Sequence, residues 1–585
     1  MKKIVSVLTI CLTLLAFSGV YAQGDKVQFG AYSRALQQTS RLGKSDTLHA
    51  DNTSQGNLLV DLGIHVNPDK NTQVSTILRL KSDLGGFYGS GNTAAIRQIY
   101  VRGILGNFLN YHVGDIFMKM TPYTMYNTDA ELSVNEASVF KNLRTDYVYY
   151  DNFNKGNSWW QQGAHTNFAV GVNSKFLQTI KIDGFFLRNR MAVGAQPTRF
   201  HAGGRLMLVQ SSRFYLGANY LNLYDVGSSV GPKATIPAMR NPVNTYETEI
   251  IAVDNNQYML HFNGEAGVSQ LNFINDSLAP KYDNGAYKKL NGSFFDVSVT
   301  GKLKPAHVKL KLGYSYTSPK FYSSAAQTKR IDYSQTPYQF PVYGNDPSNP
   351  SRTIGAFDIV RDPTIYNQKI TPVLMAYNPA YGNATPYGKA TPNRMGFNME
   401  ANYKDSLERV NVDLSGAYLT EVVGTDLYNS KRKFLVASIS ADLYVNKFIS
   451  FEKKILIHGG AKMENTNRSG DSITNVNLHT QLYDAGLEVE VLKKLDLLFG
   501  AKALNAKGSE NYAIRNAYNE IIGFNVNTYR NMNFQQIMLG AGLKYRFSKT
   551  SYLTAQYHTY NVNNLANSTQ SLNFNQFYIM FMMNF

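Results

Sequence analysis

The sequence predicts an all-β fold, a transmembrane antiparallel β-barrel of about 22 strands, and three observations carry that prediction. Apolar residues recur at every second position through segments of about ten residues, the length a tilted strand needs to cross hydrocarbon where a helix needs about twenty. Short and long connections alternate between those segments, as they do between the two ends of a barrel in a membrane. The C-terminal stretch NQFYIMFMMNF, 575–585, has the same period, with Phe577, Ile579, Phe581, Met583 and Phe585 on one face.

The alternation is explicit along the chain. In GNLLVDLGIHVN (56–67), Leu58, Val60, Leu62, Ile64 and Val66 oppose Asp61, Gly63, His65 and Asn67. In HVKLKLGYSY (307–316), Val308, Leu310, Leu312, Tyr314 and Tyr316 oppose Lys309, Lys311, Gly313 and Ser315. RMGFNMEANYK (394–404) and QQIMLGAGLKYRF (535–547) repeat the pattern. One face repeatedly carries glycine with lysine, which suits a wet lumen.

The connections set the strand count. NPDKN (67–71), GNF (106–108), SS (211–212), KPA (304–306), KDSLE (404–408), LKK (492–494) and SKT (548–550) have turn chemistry. Longer connections fall near 38–55, 117–162, 223–245, 318–393 and 505–531. Paired this way the chain gives eleven hairpins, hence about 22 strands, within an even range from about 16 to 24. Residues 23–585 form one domain.

At the N-terminus, Lys2 and Lys3 precede an apolar run from Ile4 to Val20 and then Val-Tyr-Ala-Gln, the parts of a secretory signal covering 1–22. Cys11 lies inside that run, so the mature chain has no thiol for a disulfide or a metal-thiolate site. Beyond the signal no apolar run approaches a membrane-spanning helix, while 40 Tyr, 32 Phe and 45 Gly against 18 Pro suit barrel strands. Only Gln23 to Lys26 separate the expected cleavage from the first strand, which leaves no room for an N-terminal plug.

These features resemble a bacterial outer-membrane barrel and are similar to the porin-like barrels of Bacteroidota. Gly114-Asp115 followed by Thr121-Pro122 resembles a Gly-Asp strand end and Thr-Pro loop of that family. The resemblance implies a cell outer-membrane location, contact with lipid and lipopolysaccharide, and delivery by the barrel assembly machinery. It also implies that the last strand, with Phe577, Phe581 and Phe585, is the assembly signal.

The function expected is a channel for passive passage of small solutes, with long loops 117–162 and 318–393 folded into the lumen. The first holds both tryptophans, Trp159 and Trp160, which suit either a constriction or an interfacial belt. The second holds ten of the eighteen prolines, which stiffen a loop by fixing backbone angles. The candidate lumen charges are Arg79, Lys81, Arg102, Lys309, Lys311, Lys544 and Arg546 with Glu400, Asp442 and Asp484. They mix signs, as cross-braces do, although the net charge of +17 leans toward anions. The alternative is a non-conducting barrel subunit of a larger envelope complex that docks other envelope proteins.

No enzyme is expected. Gly227-Ser228-Ser229-Val230-Gly231 matches G-x-S-x-G, but no helix follows to make the strand-to-helix elbow that this chemistry needs. No phosphate-binding loop, zinc-protease or calcium-loop pattern occurs, the histidines are scattered, and no cofactor or nucleic-acid partner is implied.

Overall fold

A strand whose outer face is apolar has to satisfy its backbone amides laterally, and the pairing here closes on itself. In the computed structural model the described residues are 26–43, 51–84, 92–126, 136–143, 145–146, 150, 159–191, 198–226, 238–274, 289–326, 383–385, 388–424, 430–470, 475–509, 512–515, 521–525, 532–565 and 572–584. The signal segment, the G-x-S-x-G match and Phe585 lie outside them.

The first strands are β1 (Val27–Leu42), β2 (Asp51–Asp69), β3 (Thr72–Asp83), β4 (Asn92–Leu105), β5 (Leu109–Met118), β6 (Trp159–Gly171), β7 (Thr179–Arg190) and β8 (Thr198–Ser211). Then follow β9 (Phe214–Val226), β10 (Ala238–Asp254), β11 (Tyr258–Ile274), β12 (Lys289–Leu303), β13 (Val308–Thr317), β14 (Arg394–Lys404), β15 (Val410–Thr420) and β16 (Lys433–Tyr444). The last are β17 (Ile455–Arg468), β18 (Val476–Leu492), β19 (Leu495–Ser509), β20 (Tyr512–Arg515), β21 (Ile521–Asn525), β22 (Met532–Arg546), β23 (Tyr552–Asn564) and β24 (Leu572–Asn584). β20 and β21 pair only with each other; the other strands form one 22-stranded sheet. Every neighbour is antiparallel, and β24 returns to β1 from Tyr32↔Asn584 to Leu42↔Phe574. Closure leaves the 22-stranded sheet without an edge strand among the described residues.

The two faces differ as the alternation requires. Leu310, Leu312, Leu539, Leu543, Phe577 and Ile579 are 40–51% exposed on the outer wall. Between them on β24, Gln576, Tyr578 and Met580 are at most 1% exposed and face inward. Ile579→Arg is therefore expected to put charge on the outer face, at a cost of about 2–4 kcal/mol at a bilayer midplane. An unchanged yield of folded, heat-modifiable barrel for that variant would exclude the facing.

The short turns all lie at one end. There the chain reverses tightly through non-glycine residues in the left-handed region, Asn107, Asn173, His307, Glu408, Ser450 and Lys494, with φ of 52–70°. At Asp405 the carboxylate accepts from Arg409 Nε at 2.6 Å, which holds it down at about 2. The longer connections lie at the other end, and several begin later than predicted. β1 runs to Leu42 and β2 starts at Asp51, β5 ends at Met118 and β6 starts at Trp159, and β9 and β10 reach Val226 and Ala238. Polar residues extend these hairpins, as where Thr39 pairs Ser54. Apolar alternation fades toward this end, but the backbone ladder continues. The connection at 318–393 has the predicted bounds.

Candidate functional site: the barrel lumen

Most of the predicted lumen charges are held by partners on neighbouring strands. Arg79 donates twice to Asp61 at 2.8 Å, Arg97 also reaches Asp61, and the Tyr150 hydroxyl donates to it at 2.6 Å. Lys81 is 3.5 Å from Asp83, and Lys311 is 3.8 Å from Glu400. Arg546 reaches Asp496 at 2.8 Å and Glu490 at 3.0 Å, while Lys544 lies 4.2 Å over the Tyr552 ring. Arg102 donates to Gln73 at 2.9 Å and sits over Tyr100. Asp442 is 2.7 Å from His458 Nδ1, and Asp484 is 3.2 Å from Lys502. Lys309 faces inward near the short-turn end, opposite Lys302 and Asn402, with no ion pair among the described residues. Trp159 and Trp160 open β6 at its long-loop end, paired with Met118 and Phe117.

Chain from the β5–β6 connection meets inward-facing groups on distant strands. The Tyr123 hydroxyl donates to Asp296 of β12 at 2.9 Å, and Thr121 donates to Glu265 of β11. Tyr123 stacks on Phe294 with ring centroids 3.8 Å apart, and burial beside Asp296 holds its phenol well above the usual range. Further along, a short helix α1 (Ser138–Leu143) meets β18 and β19. Ser138 donates to Glu488 at 2.7 Å, and Glu136 contacts Lys502. Asp146 then receives Tyr32 and Arg34 of β1 through its carbonyl, at 2.8 and 3.1 Å, and Tyr552 of β23 through its carboxylate.

The seat for α1 is made of glycine. Gly486, Gly500 and Gly540 lie directly opposite one another across β18, β19 and β22, and His558 of β23 continues the row. A Cβ on Gly486 would come within 2.4 Å of Ala137 Cβ, and one on Gly500 within 2.5 Å of Val139 Cγ1. Phe140 fills the trough, edge-on to His558 at 5.6 Å. Here the inward glycines do not line a wet lumen, as their spacing with lysine suggested. They make room for packed side chains, and Lys502 beside them is 2% exposed. Gly500→Leu is accordingly expected to expel residues 137–140 while the barrel still folds, raising protease cleavage within 127–150. An uncut segment in that variant would exclude the seating.

A second segment lies on β10–β12. Residues 321–326 are all buried, and Asn241 of β10 donates to the Tyr322 carbonyl at 2.9 Å and accepts from the Ser324 amide at 2.9 Å. The Tyr126 amide donates to the Ala325 carbonyl at 3.0 Å, so the two connections touch. Lys389, before β14, reaches Asp296 at 2.9 Å. At the short-turn end a cavity of about 820 Å³ is bordered by Gln73, Arg102, Asn110, His112, His165 and Asn167. Glu136 and the glycine trough escaped sequence reasoning, because their partners lie hundreds of residues away. Their only signal was glycine recurring at inward positions.

Among the described residues no group of three or more His, Cys, Asp or Glu side chains could hold a metal ion, and no helix is long and apolar enough to cross a membrane. No family model and no curated protein matches the chain. Among solved structures it is similar to Pseudomonas aeruginosa OccK8 (OprE), at 8% identity over 95% of this chain and 98% of that one, with a TM-score of 0.35. It is also similar to Acinetobacter baumannii OccAB2, at 9% identity over 95% and 98%, TM-score 0.34. A BenF-like porin from Pseudomonas fluorescens Pf-5 matches at 6% identity over 96% and 99%, TM-score 0.34. At these identities and scores they do not place the chain in a family.

Proposed function

We propose that the chain is an outer-membrane, porin-like channel for passive passage of small solutes, narrowed by its β5–β6 and β13–β14 connections. The observation that carries this reading is the two-sided wall, apolar outward and polar inward around a closed ring of 22 strands. Such a wall is stable in lipid because every strand is paired and only its outer face meets hydrocarbon. The secretory pattern at 1–22 supports export to that membrane. Lys309 and Lys311 contribute positive charge on the inner face, so replacing both with glutamate should shift ion selectivity toward cations.

The purified protein in a planar bilayer tests the reading, with ion-conducting steps as the expected result. The alternative, a non-conducting subunit that docks other envelope proteins, draws on the fully buried segment 321–326, which fills space beside β10–β12. Silence in the bilayer together with stable co-purification of envelope proteins would favour that alternative.

A further inference from the structure

We infer that three adjacent short turns form a binding surface for anionic phospholipid headgroups, in the leaflet at the short-turn end. The inference rests on the reading of the barrel as spanning a bilayer.

The β14–β15, β16–β17 and β18–β19 turns expose large apolar side chains at their tips. Leu407 is 62% exposed, Phe448 51%, Ile449 63%, Phe451 47% and Leu492 63%. The β4–β5 and β6–β7 turns also expose Phe108 and Phe176, whereas the β2–β3 and β8–β9 turns, 70–71 and 212–213, carry no large apolar residue. The exposed tips continue the apolar outer wall, where Ile439, Ile457 and Leu487 are 37–48% exposed just beyond the turns. A girdle at the end of a barrel wall sits at the level of lipid headgroups.

Charge supplies the specificity. Residues 404–409, 445–454 and 490–494 carry seven basic side chains against four acidic ones, and of the seven Lys454 is paired with Glu488 at 2.8 Å. Three of those carboxylates are occupied locally. Asp405 is bound by Arg409, Glu408 by Lys404 and Lys447, and Glu490 by Arg546. Lys453 donates to the Val491 carbonyl at 2.6 Å and Lys494 to the Phe547 carbonyl at 3.2 Å, while Lys493 is exposed with no ion pair among the described residues. Carbonyl partners tie the turns together without cancelling the ammonium charge. Lys447, besides its pair with the Glu408 carboxylate, donates to the Leu407 and Glu408 carbonyls, and Arg409 lies 5.1 Å from the Phe448 ring centroid. The result is a braced patch with its apolar tips in line with the hydrocarbon and surplus positive charge beside them. A phosphodiester with acyl chains matches both parts, whereas a soluble acidic protein matches only the charge.

The test places a reporter in the patch. Full-length protein carrying Phe448→Trp, with Trp159→Phe and Trp160→Phe, is reconstituted in phosphatidylcholine vesicles containing a minority of phosphatidylglycerol. Brominated acyl chains are carried by one lipid or the other. Quenching by brominated phosphatidylglycerol is expected to exceed its bulk share by roughly fivefold, the scale of one lysine facing an anionic surface. That excess should fall with salt and disappear when Lys447, Lys453, Lys493 and Lys494 are replaced by glutamine. Quenching in proportion to bulk composition, or an excess indifferent to both salt and the lysines, overturns the proposal. Absence of quenching by either lipid in vesicle-bound protein overturns it in favour of a protein partner. Flotation reports the membrane reading separately: protein that does not float with vesicles overturns that reading and this proposal together, whereas lost lipid preference in floating protein overturns this proposal alone.

Discussion

Excising residues 121–156 and bridging the gap with a short Gly-Ser linker is expected to raise single-channel conductance severalfold while leaving the barrel folded. The deletion removes Tyr123 from Asp296, Phe140 from the glycine trough, and Asp146 from Tyr32, Arg34 and Tyr552. Those contacts reach β1, β12, β19, β22 and β23, so the segment occupies space that the strands alone leave open, and a ring of 22 strands is wide without filling. Barrel stability should survive, because the ladder hydrogen bonds are made strand to strand and connections outside the ladder tolerate deletion. Planar-bilayer recording checks the expectation. Equal conductance before and after excision, with normal heat-modifiable migration, would remove this segment from the conduction path.

Lys502→Ala is expected to be the most destabilising single substitution proposed here, by about 3–5 kcal/mol, because it leaves buried carboxylates without their cation. Lys502 lies between Glu136 and Asp484, and the three side chains are 2%, 3% and 1% exposed. The triple variant Lys502→Met, Glu136→Gln and Asp484→Asn should recover most of the loss, since removing all three charges also removes the desolvation cost. Urea unfolding of the reconstituted protein compares the three. If the single variant unfolds at the native midpoint, the site is wet enough to solvate both carboxylates and the α1 seat is loose.

Both expectations draw on contacts that no local pattern announces. Alternation in segments such as 307–316 and 535–547 was enough to assign outer and inner faces, because a residue's side of a strand depends only on parity. Strand number was legible from the connections for a similar reason: tight turns carry local signals, as at 106–108 and 404–408, and each turn implies two strands. Strand ends were not legible where polar residues such as Ser54 and Gln55 continue the ladder beyond the apolar band.

The sequence by itself therefore determined the barrel, a strand count near 22 and the facing of its walls, all consequences of period-two chemistry and turn residues acting over a few positions. Only the tertiary structure decided which inward positions are dry. Glu136 meets Lys502 across 366 residues, and Asp146 meets Tyr552 across 406. Gly486, Gly500 and Gly540 acquire their role only because register aligns them beneath α1. The physical reason is that parity fixes the direction of a side chain, while its environment depends on which distant segment comes to lie against it.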